Sequence, residues 1–350
     1  MSILKRETRS VMNPAMPAPA LQSRLRSQLA DRRVRLSLAA SDYGRPEDLL
    51  RLLAEVDSAL SRLDAGGYGV CAVCHESINE PDLLANPMAS YCLCEMSPER
   101  QRALERDLDL AWRVQAALLP PLGLAVAGWR THYRYLPHGV VSGDYCDLIV
   151  SDGHAEHGLY FMLGDVSGKG VAASLLMAHL NASLRSLAHS GLPPREMIER
   201  ADRMLAESTL VSHYATLVCG RALPSGEVEI ANGGHCAPIV VRSGGPVEVL
   251  GAGGLPLGLA LAAQAGASYP AEKAVLRAGD VLVLHTDGVT EAMNAAGEEY
   301  GSERLLAVLE RCRGDAPAEL IRRCLADVSV FLDGEERGDD LTILALGRQG

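Results

Sequence analysis

No stretch of the chain approaches the roughly 20 consecutive apolar residues that span a bilayer, and its first residues lack the apolar run of about 7–15 that a secretion signal carries. A cytoplasmic location and no membrane partner are therefore expected. Positive charge is in deficit: 33 Lys and Arg stand against 44 Asp and Glu, for a net charge of −11. Neutralising a phosphate backbone needs clustered cations, so nucleic acid is not an expected partner. There is no internal repeat. Aromatics are scarce, at 4%, yet with 48% hydrophobic and 22% charged residues the composition is that of a globular protein.

What is present is enough chain for more than one core: 350 residues suggest two or three domains. Four cysteines crowd between Cys71 and Cys94, while Cys146, Cys219, Cys236, Cys312 and Cys324 are scattered through apolar or amphipathic surroundings. An odd count in a reducing compartment argues against disulfides. The cluster points to a metal, and the scattered five to small core residues or incidental thiols.

Residues 1–20, with Pro14, Pro17 and Pro19 among alanines, lack periodicity and suggest a flexible leader. Residues 21–97 hold a predicted helical hairpin and the cysteine segment. Leu21, Leu25 and Leu29, then Leu49, Leu52, Leu53, Val56, Leu60 and Leu63, recur at helical spacing on either side of a Ser-Asp-Tyr-Gly-Arg-Pro turn. Residues 98–119 form a linker helix that opens on Ser97, Pro98 and Glu99 and stops at Pro120-Pro121. Its Leu104, Leu108, Ala111, Gln115 and Leu118 approach a heptad seam, widened by Leu110 and Val114. That seam suits a helix packed on the next domain or a homodimeric coiled coil.

From residue 120 to 350 the pattern changes to short β-type runs broken by glycine: 148–150, 159–163, 215–219, 228–231, 239–242, 281–285 and 341–346. Helical stretches interrupt them at 171–188, 194–208, 302–310 and 317–331. Grouped strands with helices between predict an α+β layering and not a regular βαβ alternation. Glycine-flanked carboxylates stand at the ends of these runs: Asp144 in SGDYCD, Asp165 in LGDVSGKG, Asp287 in HTDGVTE, and Asp339 and Asp340 in GDDLTI. A single Asp-Gly pair is usually a turn. Several, each at a strand end, would repel one another unless a divalent cation neutralised them, and oxygen ligands favour Mg²⁺ or Mn²⁺.

SGDYCD, LGDVSGKGVAASLLMA, NGGHCAPIVV, GLPLGL, GDVLVLHTDGVTEAMN and GDDLTILAL, in this order over roughly residues 120–347, resemble the SpoIIE-type branch of the metal-dependent (PPM) protein phosphatases. The resemblance implies a central β-sandwich flanked by helices, with two Mn²⁺ or Mg²⁺ ions between the sheets. It also implies Asp165, Asp287 and Asp339 as catalytic metal ligands, the backbone carbonyl of Val166 as a further one, Asp144 near the second ion and Asp340 toward a weaker third. His235, in the NGGH turn, is expected to be a hydrogen-bonding scaffold. The implied activity is hydrolysis of phosphoserine or phosphothreonine on a protein, with a STAS-type anti-sigma-factor antagonist as the family's usual substrate in partner-switching signalling.

Cys71-x2-Cys74, followed by Cys92 and Cys94, has the spacing of a zinc knuckle pair, although the fourth thiolate falls one residue early and position 95 is Glu95. Residues 47–97 resemble the DksA/TraR-type zinc finger. That resemblance implies Zn²⁺ on Cys71, Cys74, Cys92 and Cys94, against a reduced, metal-free fold. The expected role of this N-terminal module is regulation of the phosphatase. The rival reading is a non-catalytic scaffold or pseudophosphatase that contacts the transcription machinery. Retention of Asp144, Asp165, Asp287 and Asp339 together favours the enzyme.

Overall fold

A computed structural model of the chain describes residues 19–42, 47–71, 77–90, 98–150, 158–168, 170–208, 214–251, 253–259 and 269–350. Most of the expected leader, the hairpin turn at 43–46, and Cys74, Cys92 and Cys94 lie outside the described residues. The chain divides into two compact units, Met1–Glu105 and Arg106–Gly350.

In the first unit, α1 (Pro19–Asp42) and α2 (Glu47–Asp64) pack against each other along the seam that the periodicity predicts. Leu21, Leu25, Leu29 and Leu36 meet Val56, Ala59 and Leu63 in one buried cluster. The exposed pairs Arg26–Asp64 and Arg33–Asp57 run along its outside, where solvent leaves them little energetic weight. Gly66 takes the left-handed φ of +72° just past α2, as a helix stop requires. Beyond it Tyr68, Cys71, Ile78 and Leu83 join the same cluster. The Tyr68 hydroxyl donates to the Pro87 carbonyl at 2.6 Å. Val70 and Ser77 form an antiparallel bridge, so the segment between them begins and ends at one place. A short helix, α3 (Glu80–Ala85), follows, capped by the Asn79 side chain, which accepts from the Asp82 N–H at 2.9 Å.

The second unit is a sandwich of two antiparallel sheets between two pairs of helices. The first sheet has the order β1 (Ala125–Val126), β2 (Trp129–Leu136), β11 (Leu341–Arg348), β10 (Val281–His285), β7 (Ile239–Val241) and β8 (Val247–Val249). The second has the order β3 (Asp144–Val150), β4 (Leu159–Val166), β5 (Ala215–Ala222), β6 (Glu227–Gly233) and β9 (Ala271–Val275). Side-chain alternation divides each central strand between two cores. On β4, Leu159, Phe161 and Leu163 face the other sheet and join Leu282, Leu284, Leu344 and Leu346. Tyr160 and Met162 face outward, onto α5 (Val171–His189) and α6 (Pro194–Ser208). The opposite outer face, with Val281, Val283 and Ile343, is covered by helices that we number α8 (Ser302–Glu310) and α9 (Pro317–Leu332), after the single turn α7 (Asp287–Thr290). Central strands buried on both faces explain the continuous apolar runs in the sequence.

Cys146, Cys219, Cys312 and Cys324 are buried core thiols, and Cys236 is partly buried. The linker helix, α4 (Pro98–Leu118), belongs to this unit from Arg106 onward. Its seam turns inward: Gln115 is buried and Leu118 packs on the α5–α6 core, whereas Leu110 and Val114 stand 60% and 55% exposed. The sequence pattern does not announce β1, β2, β8, β9, α3 or α7. Strand β2, read WRTHYRYL, carries Arg130, His132 and Arg134 on one face and buries Trp129, Thr131 and Tyr133 on the other.

Candidate active site

Four strand ends meet at one end of the sandwich. Asp144 opens β3 and lies opposite Asp165 near the end of β4, in register. Asp287 begins α7 just after β10, and Asp339 and Asp340 precede β11, the strand paired with β10. Antiparallel pairing thus brings together carboxylates that lie far apart in the chain.

Asp144 is buried and crosses from one sheet to the other. Its carboxylate accepts from the Thr286 hydroxyl at 3.1 Å and from the Thr342 hydroxyl. These two threonines are themselves joined, Thr342 N–H donating to Thr286 Oγ1 at 2.9 Å and Thr286 N–H to the Thr342 carbonyl at 3.0 Å. Burial holds the Asp144 carboxyl well above the usual range, with the charges of Asp165 and Asp340 adding to the effect and the two hydroxyls opposing it. Asp340 has a different task. Its oxygens accept from the His138 N–H at 2.7 Å and the Gly143 N–H at 3.0 Å, tying down the loop that leads into β3.

Asp165 is where negative charge concentrates. Burial, then Asp287, Asp339 and Asp340, push its carboxyl up to about 7, with the Val166 N–H opposing. Asp287 is also felt by the Cys236 thiol, pushed up to about 12 chiefly by burial, and by Glu291, raised by burial and by that same charge. Gly143 cannot be larger without moving the site, since a Cβ there would stand 2.8 Å from the Val166 carbonyl oxygen and 3.1 Å from Asp165 Oδ1. His235 sits in a turn clamped by Asn232, whose side chain accepts from the His235 N–H at 2.8 Å and donates to its carbonyl at 3.0 Å. Its Nδ1 lies 2.8 Å from Thr216 Oγ1, and burial pushes the imidazole down to about 3, so it is neutral at physiological pH.

Among the described residues no three His, Cys, Asp or Glu side chains are packed tightly enough, as placed, to hold an ion. Asp287, Asp339 and Asp340 instead stand within electrostatic range of Asp165. The donor chemistry nevertheless fits hard divalent cations: these are carboxylate oxygens, with a backbone carbonyl beside them, and the repulsion that raises Asp165 is what a cation relieves. The sequence reading had singled out every one of these carboxylates. It missed Thr286 and Thr342, although both adjoin the acidic motifs as HTDG and DDLTI, and took Gln115 only as part of the helical seam.

Residues 155–349, more than half of the chain, match the family model of Stage II sporulation protein E (SpoIIE). The chain belongs to the SpoIIE family. It is 22% identical over 274 residues to the phosphoserine phosphatase RsbU of Bacillus subtilis, covering 77% of this chain and 79% of RsbU. Protein IcfG of Synechocystis is 23% identical over 271 residues, covering 69% of this chain and 41% of IcfG, so the chain spans less than half of that relative. Among solved structures, the SiaA-PP2C domain of Pseudomonas aeruginosa superposes with a TM-score of 0.61 at 20% identity, over 72% of this chain and 99% of that domain. The two-sheet unit is a PP2C fold, and with the family it makes this a protein serine/threonine phosphatase domain. The site described above is built from strand termini at one end of the two sheets. Among the described residues, no helix is long and apolar enough to cross a membrane.

Proposed function

We propose that the chain hydrolyses phosphoserine or phosphothreonine on a folded protein, with Mn²⁺ or Mg²⁺, and that the substrate is a STAS-type anti-sigma-factor antagonist in a partner-switching pathway. The observation that carries this reading is the concentration of charge at Asp165, raised to about 7 by burial and by three neighbouring carboxylates. Asp165, Asp287, Asp339 and the Val166 carbonyl are the groups that would hold the cations, with Asp144 and Asp340 bracing the frame around them. Two such ions held there would supply the chemistry of lowering the pKa of a water and polarising the phosphoryl oxygens.

The chain's own residues supply the rest. The Asp144–Thr286–Thr342 contacts pin one sheet to the other directly beneath the acidic cluster. Val140 and Val171, both about half exposed, line a cavity with Asp339 and Asp340, and Leu175 lies exposed one turn further along α5. An open rim with apolar side chains supports a macromolecular substrate over a small phosphorylated metabolite.

The N-terminal unit is assigned to regulation. Cys71 lies in the buried cluster of this unit, and the zinc set proposed remains Cys71, Cys74, Cys92 and Cys94. Metal analysis of the dialysed full chain is expected to return one zinc per chain. The exposed Leu110 and Val114 on α4 support a homodimer. The decisive assay is phosphate release from a phosphoserine-bearing STAS-domain protein. Release with Mn²⁺ that EDTA abolishes supports the enzyme; a full chain that binds the phosphoprotein without hydrolysing it would favour the scaffold reading.

A further inference from the structure

One buried side chain outside the acidic cluster reaches directly into the loop that frames it. Gln115, on α4, is 5% exposed, and its carboxamide is used at both ends by a single residue. Gln115 Nε2 donates to the Ser142 carbonyl at 2.7 Å, and Oε1 accepts the Ser142 N–H at 3.0 Å. This is the pairing a neighbouring strand would provide, supplied by a side chain at a place where no strand pairs with Ser142. Buried backbone groups need such partners.

The residues after Ser142 carry the consequence. Gly143 donates its N–H to Asp340 Oδ2 at 3.0 Å and accepts from the Val166 N–H at 3.2 Å. Asp144 donates its N–H to Ser142 Oγ at 3.0 Å before its carboxylate enters the threonine pair. The loop 138–141, leading into Ser142, lines a cavity of about 240 Å³ together with Leu108 of α4, Gly170, Val171, Asp339 and Asp340. Helix α4 therefore meets this segment through Gln115, and its Leu108 lines the same cavity as the loop.

We propose that Gln115 is a positioning residue for the phosphatase site. By holding both backbone groups of Ser142 it sets the register of Ser142, Gly143 and Asp144, and through Gly143 the seats of Asp340 and Val166. This inference rests on the phosphatase reading of the acidic cluster. Removing the carboxamide leaves a buried N–H and a buried C=O unpaired, and the loop relieves them by shifting toward water, away from the geometry that gathers the carboxylates.

The test is Gln115→Met in the full chain, which keeps length and apolar bulk but removes both hydrogen bonds. Mn²⁺ affinity is measured by calorimetric titration without substrate, beside kcat and KM for the phosphoprotein at saturating Mn²⁺. Loss of two buried hydrogen bonds predicts Mn²⁺ binding and kcat weakened about tenfold, with KM unchanged and amide exchange accelerated over 139–146. Where Gln115→Met does not fold, Gln115→Glu, which keeps the acceptor for the Ser142 N–H, takes its place in the same titration. Mn²⁺ affinity and exchange equal to wild type, with only the melting temperature lowered, would overturn the proposal. A wild-type chain that binds Mn²⁺ but releases no phosphate would count against the phosphatase reading alone, because the titration still decides the role of Gln115.

Discussion

Replacing Arg185 by leucine strips a fully buried carboxylate of its counter-ion. Asp147, on β3 three residues after Asp144, has no exposed side-chain surface, while Arg185 on α5 remains 42% exposed. The guanidinium donates Nε to Asp147 Oδ2 at 2.7 Å and Nη2 to Oδ1 at 2.8 Å. The Leu148 N–H at 2.8 Å, the Tyr145 hydroxyl at 3.3 Å and Asn181 Nδ2 at 3.4 Å complete the shell. Removing one member of a buried pair costs about 3–5 kcal/mol. With Arg185 partly solvated and three donors left in place, the lower end, about 3 kcal/mol, applies. For a unit of this size that lowers Tm by about 6–12 °C at neutral pH.

The pH dependence supplies a second signature. Burial already holds Asp147 above the ordinary carboxylate value of 3.8 despite the arginine, and without Arg185 its carboxyl rises further. A raised acid favours the protonated folded state, so stability falls as pH rises from the unfolded value of 3.8 through the folded one. The Arg185→Leu deficit is therefore full at pH 8 and shrinks on acidification. Adding Asp147→Asn to Arg185→Leu should recover part of it at pH 8. Scanning calorimetry of the three chains at pH 8 and pH 5.5 decides the matter. A Tm within about 2 °C of wild type at pH 8, a shift well under the roughly 3 kcal/mol expected, would refute the argument; so would a deficit independent of pH.

Asp165→Asn should abolish hydrolysis, and in EDTA at pH 8 the variant should melt at or above wild type, because an acid raised to about 7 carries its repulsion when ionised; a lower Tm would contradict this. Mn²⁺ should raise the Tm of the wild type and leave that of Asp165→Asn where it was. Gly143→Ala, whose Cβ would stand 2.8 Å from the Val166 oxygen, should cost about 1–3 kcal/mol and most of the activity, measured by melting and by phosphate release. Leu110→Glu combined with Val114→Glu should shift sedimentation from dimer to monomer while the thermal transition of the chain stays in place.

Much of the fold was legible because its central strands are buried on both faces: runs such as LYFMLGDV and VLVLH declare themselves by composition alone. Strand β2 was not, since WRTHYRYL mixes aromatics with arginine and histidine. Strand β9, read AEKAV, was missed for a similar reason: it lies at a sheet edge and leaves Ala271, Glu272, Lys273 and Val275 exposed. The heptad-like stripe on α4 was legible as a stripe, but periodicity names a face and not what covers it. Here Gln115 and Leu118 turn into the domain's own core, and Leu110 and Val114 remain outside.

The carboxylates themselves were determined by the sequence alone, since Asp and Gly at strand ends form a local pattern that needs no tertiary contact to recognise. Their division of labour was decided only by the three-dimensional structure. Asp144 is a buried latch on Thr286 and Thr342, Asp340 a clamp on the His138 and Gly143 amides, and Asp165 the charged centre. The Asp144 and Asp340 contacts join residues about 140 to 200 positions apart. The physical reason is that a hydrogen bond or a shifted pKa depends on burial and on partners from distant strands, and antiparallel pairing supplies both only once the two sheets have closed on each other.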